Sequence, residues 1–286
     1  MHSLAAAAHR SVGPQDREIV MPDERKDTWA AGKLYEPYVG RWSRLVAKDF
    51  LRWLELPAQL DWLDVGCGTG ALTEVILQQT RPRSVTGMDP SAGFVGHAKA
   101  HISDPRVTFE VADAQSLTVD SARFDTAVAG LVLNFVPKPL LAVQEMARAV
   151  RPGGVVAAYV WDYAGKMELM RYFWDAAVAL DRDAFELDEG RRFPICQPTA
   201  LVALFTESGL RDVQMRAIDV PTTFRDFDDY WTPFLGGQAP APGYAMSLNA
   251  ERRGALRDRI RATLPIASDG SIPLIARAWA VRGHSL

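Results

Sequence analysis

Two hydrophobic periods alternate along the middle of the chain. Residues 60–65 alternate apolar and acidic side chains and end in Leu63-Asp64-Val65, the pattern of a short buried strand. Gly66, Gly68 and Gly70 follow on every second position, and from Ala71 the apolar residues recur at helical spacing. The sequence therefore predicts a strand that turns through a glycine loop into a helix over 69–80. The same alternation then repeats. A second strand over 83–88 ends at Asp89-Pro90-Ser91, and a helix over 91–102 leads to a third strand over 107–111. A fourth strand over 124–130 runs on through apolar residues to Phe135, where Pro137 breaks it. A helix over 138–149, a turn at Arg151-Pro152-Gly153-Gly154 and a fifth strand over 155–161 complete the series. Strands alternating with helices predict a parallel, doubly wound α/β sheet with right-handed crossovers.

The flanks are less regular. Residues 28–54 read as two helical pieces joined at Gly40. The second has Trp42, Leu45, Val46, Phe50, Trp53 and Leu54 on one face and Arg41, Arg44, Lys48 and Arg52 on the other. Beyond residue 161 the pattern predicts an aromatic-rich helix over 167–180 and a charged loop over 181–196. A helix over 199–209 and a strand over 213–220 follow. Next come a helix over 224–235, a Gly/Pro loop over 236–243, a basic helix over 251–264 and a last strand over 272–281. Residues 1–26 show no periodicity and are expected to form a mobile tail, leaving 27–286 as a single domain.

Composition narrows the function classes. A 48% hydrophobic, 23% charged chain of 286 residues has ample material for a core. The net charge is −3 without a basic tract, so a nucleic-acid or membrane partner is not expected. No apolar run approaches the ~20 residues of a membrane helix, and the five-residue run 4–8 is too short for a signal-peptide core. Cys67 and Cys196 cannot make a disulfide framework. The expectation is a soluble cytoplasmic protein. His97 and His101 share the i, i+4 spacing of a zinc helix, but Ala98 stands where a catalytic Glu belongs, so no metal site is expected.

The glycine loop carries the candidate chemistry. Glycines there permit positive φ and close approach of a ligand, and the free N–H groups of the helix start favour a carboxylate or phosphate. Gly66-x-Gly68-x-x-Ala71 also satisfies the dinucleotide fingerprint, so the loop alone leaves a nicotinamide dehydrogenase open. Asp89, 19 residues past Gly70, sits where a ribose diol is held. Asp113, after the third strand, either reaches an adenine amino group or bonds its own loop. Tyr35, Arg41 and Arg44 are candidates to cap the pocket.

Five motifs in order carry a resemblance. They are Leu63-Asp64-Val65-Gly66-Cys67-Gly68-Thr69-Gly70, Gly87-Met88-Asp89-Pro90-Ser91, Ala112-Asp113-Ala114, Phe124-Asp125 and Arg151-Pro152-Gly153-Gly154. Together they resemble class I S-adenosylmethionine-dependent methyltransferases, in the branch similar to ubiquinone/menaquinone-biosynthesis (methyltransferase type 11) enzymes, over roughly 35–161. The resemblance implies a Rossmann-like seven-stranded sheet of order 3-2-1-4-5-7-6, its last strand antiparallel. It implies S-adenosyl-L-methionine as cofactor, with Gly66, Gly68 and Gly70 along the methionine part, Asp89 on the ribose, Asp113 and Ala114 at the adenine, and Gly130 and Leu131 beside the methionine end. Asp64, Cys67, Pro90 and Ser91 lie within these motifs and join the cofactor-binding set. The chain has Asn134 where relatives often carry His. It lacks the Asn/Asp-Pro-Pro-Tyr run of enzymes that methylate DNA bases or protein glutamine.

The expected reaction is in-line methyl transfer, in which the protein mainly aligns nucleophile, methyl and sulfur. Tyr35, Asn134, Asp162 and Tyr163 are the candidates for a base or for acceptor contacts. A mostly helical cap, from insertions at 162–196 and 221–247, brings Tyr163, Phe173, Trp174, Phe193, Tyr230, Trp231 and Phe234. It predicts either an aromatic-lined pocket for a small, largely apolar acceptor or simple packing of the insertion. Gly236, Gly237 and Gly243 are expected to let the cap move, with 28–44 closing the other side. The alternatives are a non-catalytic S-adenosylmethionine-binding protein and an NAD(P)-dependent oxidoreductase.

Overall fold

The computed structural model describes residues 40–237 and 239–286, without the Arg41 side chain. The expected tail 1–26, the first helical piece over 28–39 and Tyr35 lie outside the described residues.

Seven strands form one sheet in the order β3-β2-β1-β4-β5-β7-β6. They are β1 (Asp61–Val65), β2 (Ser84–Asp89), β3 (Val107–Val111), β4 (Phe124–Gly130), β5 (Val150–Trp161), β6 (Arg211–Phe224) and β7 (Ile272–His284). β1 runs parallel to β2 and β4, and β4 parallel to β5. β7 inserts antiparallel between β5 and β6. An all-parallel six-stranded dinucleotide fold has no such strand.

Helices α1 (Arg41–Leu54), α2 (Ala71–Gln79), α3 (Ala92–His101) and α4 (Pro139–Ala149) accompany the first half of the sheet, and α7 (Pro198–Glu207) precedes β6. The amphipathic reading of α1 holds where its side chains are described. Val46, Phe50 and Leu54 are buried, Phe50 packs on Tyr159 of β5 at 4.7 Å between centroids, and Arg44 bonds Glu74 of α2 at 3.3 Å. Apolar residues on the inner strands are almost wholly buried because helices cover them.

Two of the five motifs are structural. Asp125 accepts from the backbone N–H of Asp61 at 2.8 Å, from Arg83 at 3.4 Å and from Arg151. Arg151 also reaches Asp61 at 3.5 Å and the Arg123 carbonyl at 3.0 Å. This cluster ties together the starts of β1, β4 and β5, at the edge opposite the glycine loop.

Several sequence readings change. β4 stops at Gly130 rather than running to Phe135, because Leu131 takes φ 61° and a 3-10 turn covers Leu133–Phe135. Residues 150–154 belong to β5, with the irregularity absorbed as a register shift against β4 between Phe124 and Thr126. After α5 (Glu168–Leu180), the stretch read as a charged loop is a chain of short helical turns, including α6 (Glu189–Arg192). Asp181 and Asp188 start these turns by accepting from Asp183 N and Gly190 N. The helix read over 224–235 is shortened, since β6 extends to Phe224 before α8 (Phe227–Trp231). The Gly/Pro loop is partly α9 (Pro240–Ser247), which places Gly243 inside a helix; Gly237 keeps a left-handed φ of 70°. α10 (Ala250–Thr263) leads to β7.

Candidate active site

A cavity of about 510 Å³ opens at the carboxyl ends of the parallel strands. Ligands of α/β sheets bind at that edge, and the size lies within the usual range for small-molecule sites. The glycine loop forms one wall. Gly66, Gly68 and Gly70 all have positive φ, at 71°, 53° and 92°. A Cβ on Gly66 would meet Val132 at 2.5 Å, and one on Gly70 would meet Ile102 at 2.4 Å. A Cβ on Gly68 would meet nothing within 4 Å, so Gly68 presents open backbone. The loop is pinned to β2 by Gly66 N and Cys67 N, which both donate to the Met88 carbonyl at 2.7 and 3.0 Å.

Three carboxylates line this end. Asp89 is buried at the tip of β2, where Oδ2 accepts from Gly68 N at 3.0 Å and Oδ1 from Ser91 N at 2.8 Å. Burial raises its pKa, against the two amides. Ser91 caps α3 by accepting from Phe94 N. Asp64 is 1% exposed, and its Oδ2 accepts from the Thr73 hydroxyl at 2.6 Å. Its Oδ1 has no hydrogen-bond partner among the described residues, and burial pushes its pKa up to about 7. Asp113 lines the cavity while bonding its own loop, through Gln115 N at 2.9 Å and the Gln115 side chain. The reading of Asp113 as a residue that bonds its own loop holds, and its place on the cavity wall puts it among the residues a ligand there would meet. Burial also raises the Cys67 thiol, which keeps it neutral.

Of the residues proposed for cofactor binding, Asp64, Gly66, Cys67, Gly68, Asp89, Pro90, Ser91, Asp113, Ala114, Gly130 and Leu131 all line this one cavity. Gly70 does not line it but shapes the loop from behind. Arg44 does not line it either; it reaches across to Glu74. The neighbouring Ser43 does, a residue with no signal in the sequence.

The catalytic candidates separate. Tyr163 is buried on the cavity wall against Phe193, at 5.6 Å between ring centroids. Asp162 does not line the cavity, and its carboxylate is occupied by Gly165 N and Lys166 N, both at 3.0 Å. Asn134 lies in the 3-10 turn, off the wall, with its amide nitrogen enclosed. The cap aromatics also divide. Phe193 faces the cavity, whereas Phe173, Trp174, Tyr230, Trp231 and Phe234 pack among themselves, with Phe173 stacked on Phe234 at 4.5 Å. Most of the aromatic excess holds the cap together, as the packing alternative expects. Met170 and Glu189 join the wall instead, and their sequence context, a helix and an acidic run, did not mark them.

Residues 63–158, the stretch from β1 to β5 that builds this wall, match the methyltransferase domain family. Over that stretch the chain is similar to a methyltransferase domain. Over 116 residues it is 32% identical to a trans-aconitate 2-methyltransferase of Methylobacterium nodulans, covering 41% of this chain and 44% of the relative. Over 94 residues it is 34% identical to a ubiquinone biosynthesis O-methyltransferase of Coxiella burnetii, covering 32% and 39%. The similarity thus spans less than half the length of these curated relatives. The fold matches the YcgJ protein from Bacillus subtilis with a TM-score of 0.57 at 16% identity, over 84% of this chain and 98% of that one. The matched residues run from β1 into β5 and include the glycine wall, while β6 and β7 lie beyond them. The cap lies outside the matched residues, so what it admits must be read from its own side chains. Among the described residues no cluster of His, Cys, Asp and Glu is arranged for a metal, and no helix is long and apolar enough to cross a membrane.

Proposed function

We propose that the protein transfers a methyl group from S-adenosyl-L-methionine to a small, largely apolar organic acceptor by in-line displacement. The observation that carries this reading is the continuity of one cavity, from the glycine loop and Asp89 to the cap residues Tyr163, Met170 and Phe193. The site's donors and acceptors suit the methyl donor. Gly68 leaves open backbone, and Asp89 and Asp113 place carboxylates at the far ends of β2 and β3. In this proposal Asp89 holds the ribose hydroxyls, Asp113 and Ala114 the adenine, and the loop of Gly66, Cys67 and Gly68 with Gly130 and Leu131 the methionine part. Pro90 and Ser91 flank the ribose.

When bound, S-adenosyl-L-methionine supplies an activated methyl on a sulfonium, a good leaving group. The chain's own contribution is alignment and exclusion of water. Tyr163, Phe193, Ala239 and Pro240 supply the apolar surroundings. Residues 27–286 act as one domain in this reading, with 162–196 and 221–247 as the cap. Calorimetry with S-adenosylhomocysteine, followed by transfer of labelled methyl to a panel of small acceptors, tests it. Binding of NAD without binding of S-adenosylhomocysteine overturns it.

A further inference from the structure

Tyr159 lines the cavity but lies outside the five sequence motifs. It stands on β5 directly beside Gly130 of β4, and its carbonyl accepts from the Leu131 N–H at 2.8 Å. Paired residues of neighbouring strands point to the same face of a sheet, so the Tyr159 ring and any side chain at position 130 compete for one space. Gly130 leaves that space empty, and the ring fills it. A Cβ on Gly130 would lie 2.6 Å from the Tyr159 hydroxyl, 2.8 Å from its Cζ and 3.1 Å from Leu72. Phe50 of α1 packs on the ring at 4.7 Å between centroids, and Tyr159 is 2% exposed. The ring is therefore held in place by packing, and its hydroxyl is carried to where the end of β4 meets the first turn of α2. Gly130 and Leu72 line the cavity there as well.

That place adjoins the glycine loop, because α2 begins at Ala71 directly after Gly70. In the proposed function the methionine part of the methyl donor lies here, and it carries an ammonium and a carboxylate. The ammonium has acidic side chains on the wall to face. The carboxylate needs hydrogen-bond donors, and no Lys, Arg or His among the described residues lines the cavity. Four N–H groups of the loop are already engaged. Gly66 N and Cys67 N donate to the Met88 carbonyl, Gly70 N to the Cys67 carbonyl and Gly68 N to Asp89. The Ser43 hydroxyl on the same wall donates to the Gly40 carbonyl at 2.7 Å. Tyr159 brings an O–H to this end.

We propose that the Tyr159 hydroxyl donates to the carboxylate of the bound methyl donor and so anchors its methionine end. This rests on the methyl-transfer reading above. Tyr159 makes and breaks no covalent bond in this role. It is a positioning residue, because fixing the end of the chain that carries the sulfur helps set the direction in which the methyl points. A neutral phenol suits a carboxylate in a wall without cations, since a hydrogen bond to an ionised acceptor is stronger than one between neutral groups. The absence of a side chain at Gly130 is what gives the hydroxyl its place.

The test uses the full chain and its Tyr159→Phe variant, which keeps the ring against Phe50 and removes one oxygen. Three ligands are titrated by calorimetry. They are S-adenosylhomocysteine, its decarboxylated analogue that keeps the amine, and methylthioadenosine, which lacks both groups. Tyr159→Phe should bind S-adenosylhomocysteine about tenfold or more weaker, the loss expected for a hydrogen bond to a charged group. Its affinity for the other two should stay within about twofold of the wild type, which also shows that the fold is intact. A packing defect would weaken all three alike. Failure of the wild type to bind S-adenosylhomocysteine overturns the methyl-transfer reading itself. With that binding present, three results overturn the Tyr159 assignment alone. They are unchanged S-adenosylhomocysteine affinity in Tyr159→Phe, equal weakening of all three ligands, and weakening that extends to the decarboxylated analogue.

Discussion

The backbone N–H of Gly68 donates to Asp89 Oδ2 at 3.0 Å, so the carboxylate at the end of β2 braces the glycine loop as well as facing the cavity. Asp89→Ala removes both the brace and a charged acceptor. Affinity for S-adenosylhomocysteine should fall by roughly 1.5–3 kcal/mol, the range for hydrogen bonds to a charged group. Calorimetry reads the change. Unchanged affinity in a folded variant contradicts the ribose assignment.

The loop glycines differ in what they tolerate. Gly66→Ala combines φ 71° with a 2.5 Å clash against Val132. Gly68→Ala has φ 53° and open space around it. Thermal unfolding should show a loss of about 1–2 kcal/mol for Gly68→Ala, the left-handed penalty alone, and a larger loss for Gly66→Ala. Equal losses would sink the distinction.

Asp64 makes stability depend on pH. Its native pKa near 7 lies above the ordinary 3.8, so between those values the folded state keeps a proton the unfolded chain has released. Its contribution therefore falls as pH rises through that window, and Glu189, also raised to about 7, acts in the same direction. Asp64→Asn should lose less melting temperature between about pH 5 and about pH 8 than the wild type. Scanning calorimetry at the two pH values checks the sign; an equal or larger loss in Asp64→Asn rules it out.

The Asp125 cluster should matter for stability and not for the site. Asp125→Ala removes the acceptor of the Asp61 N–H and one partner each from Arg83 and Arg151, which keep Asp61 and backbone carbonyls. The expected cost is about 1–3 kcal/mol, with S-adenosylhomocysteine affinity unchanged. Denaturant unfolding and calorimetry on the same sample separate the two effects.

The cap aromatics divide by the same logic. Phe173 is fully buried against Phe234, and Phe173→Ala should cost about 3–5 kcal/mol of stability. Phe193 lies on the cavity wall. Phe193→Ala should cost less stability and change which acceptors are methylated, read by product analysis across the acceptor panel.

The strand-loop-helix series was legible in the sequence because each element carries its own local signal. Period-two and helical apolar patterns placed β1 through β5 and their helices, and Gly66, Gly68 and Gly70 marked the loop, since positive φ at each favours glycine. Asp89 and Asp113 were legible as strand-end acids for the same reason. Tertiary structure decided what depends on partners far along the chain. The left-handed turn at Leu131, which ends β4, has no local signal in an apolar run. The pairing of Asp125 with Arg151 turned two motifs into a brace. The cap aromatics could be counted in the sequence, but which faced the cavity depended on how α5, α6 and α8 pack. Glu189 looked like one more acid in a charged stretch, and only the fold buries it beside Trp174, whose indole N–H it accepts. Burial is a property of the neighbours that surround a side chain, and those neighbours come from segments that no local pattern connects.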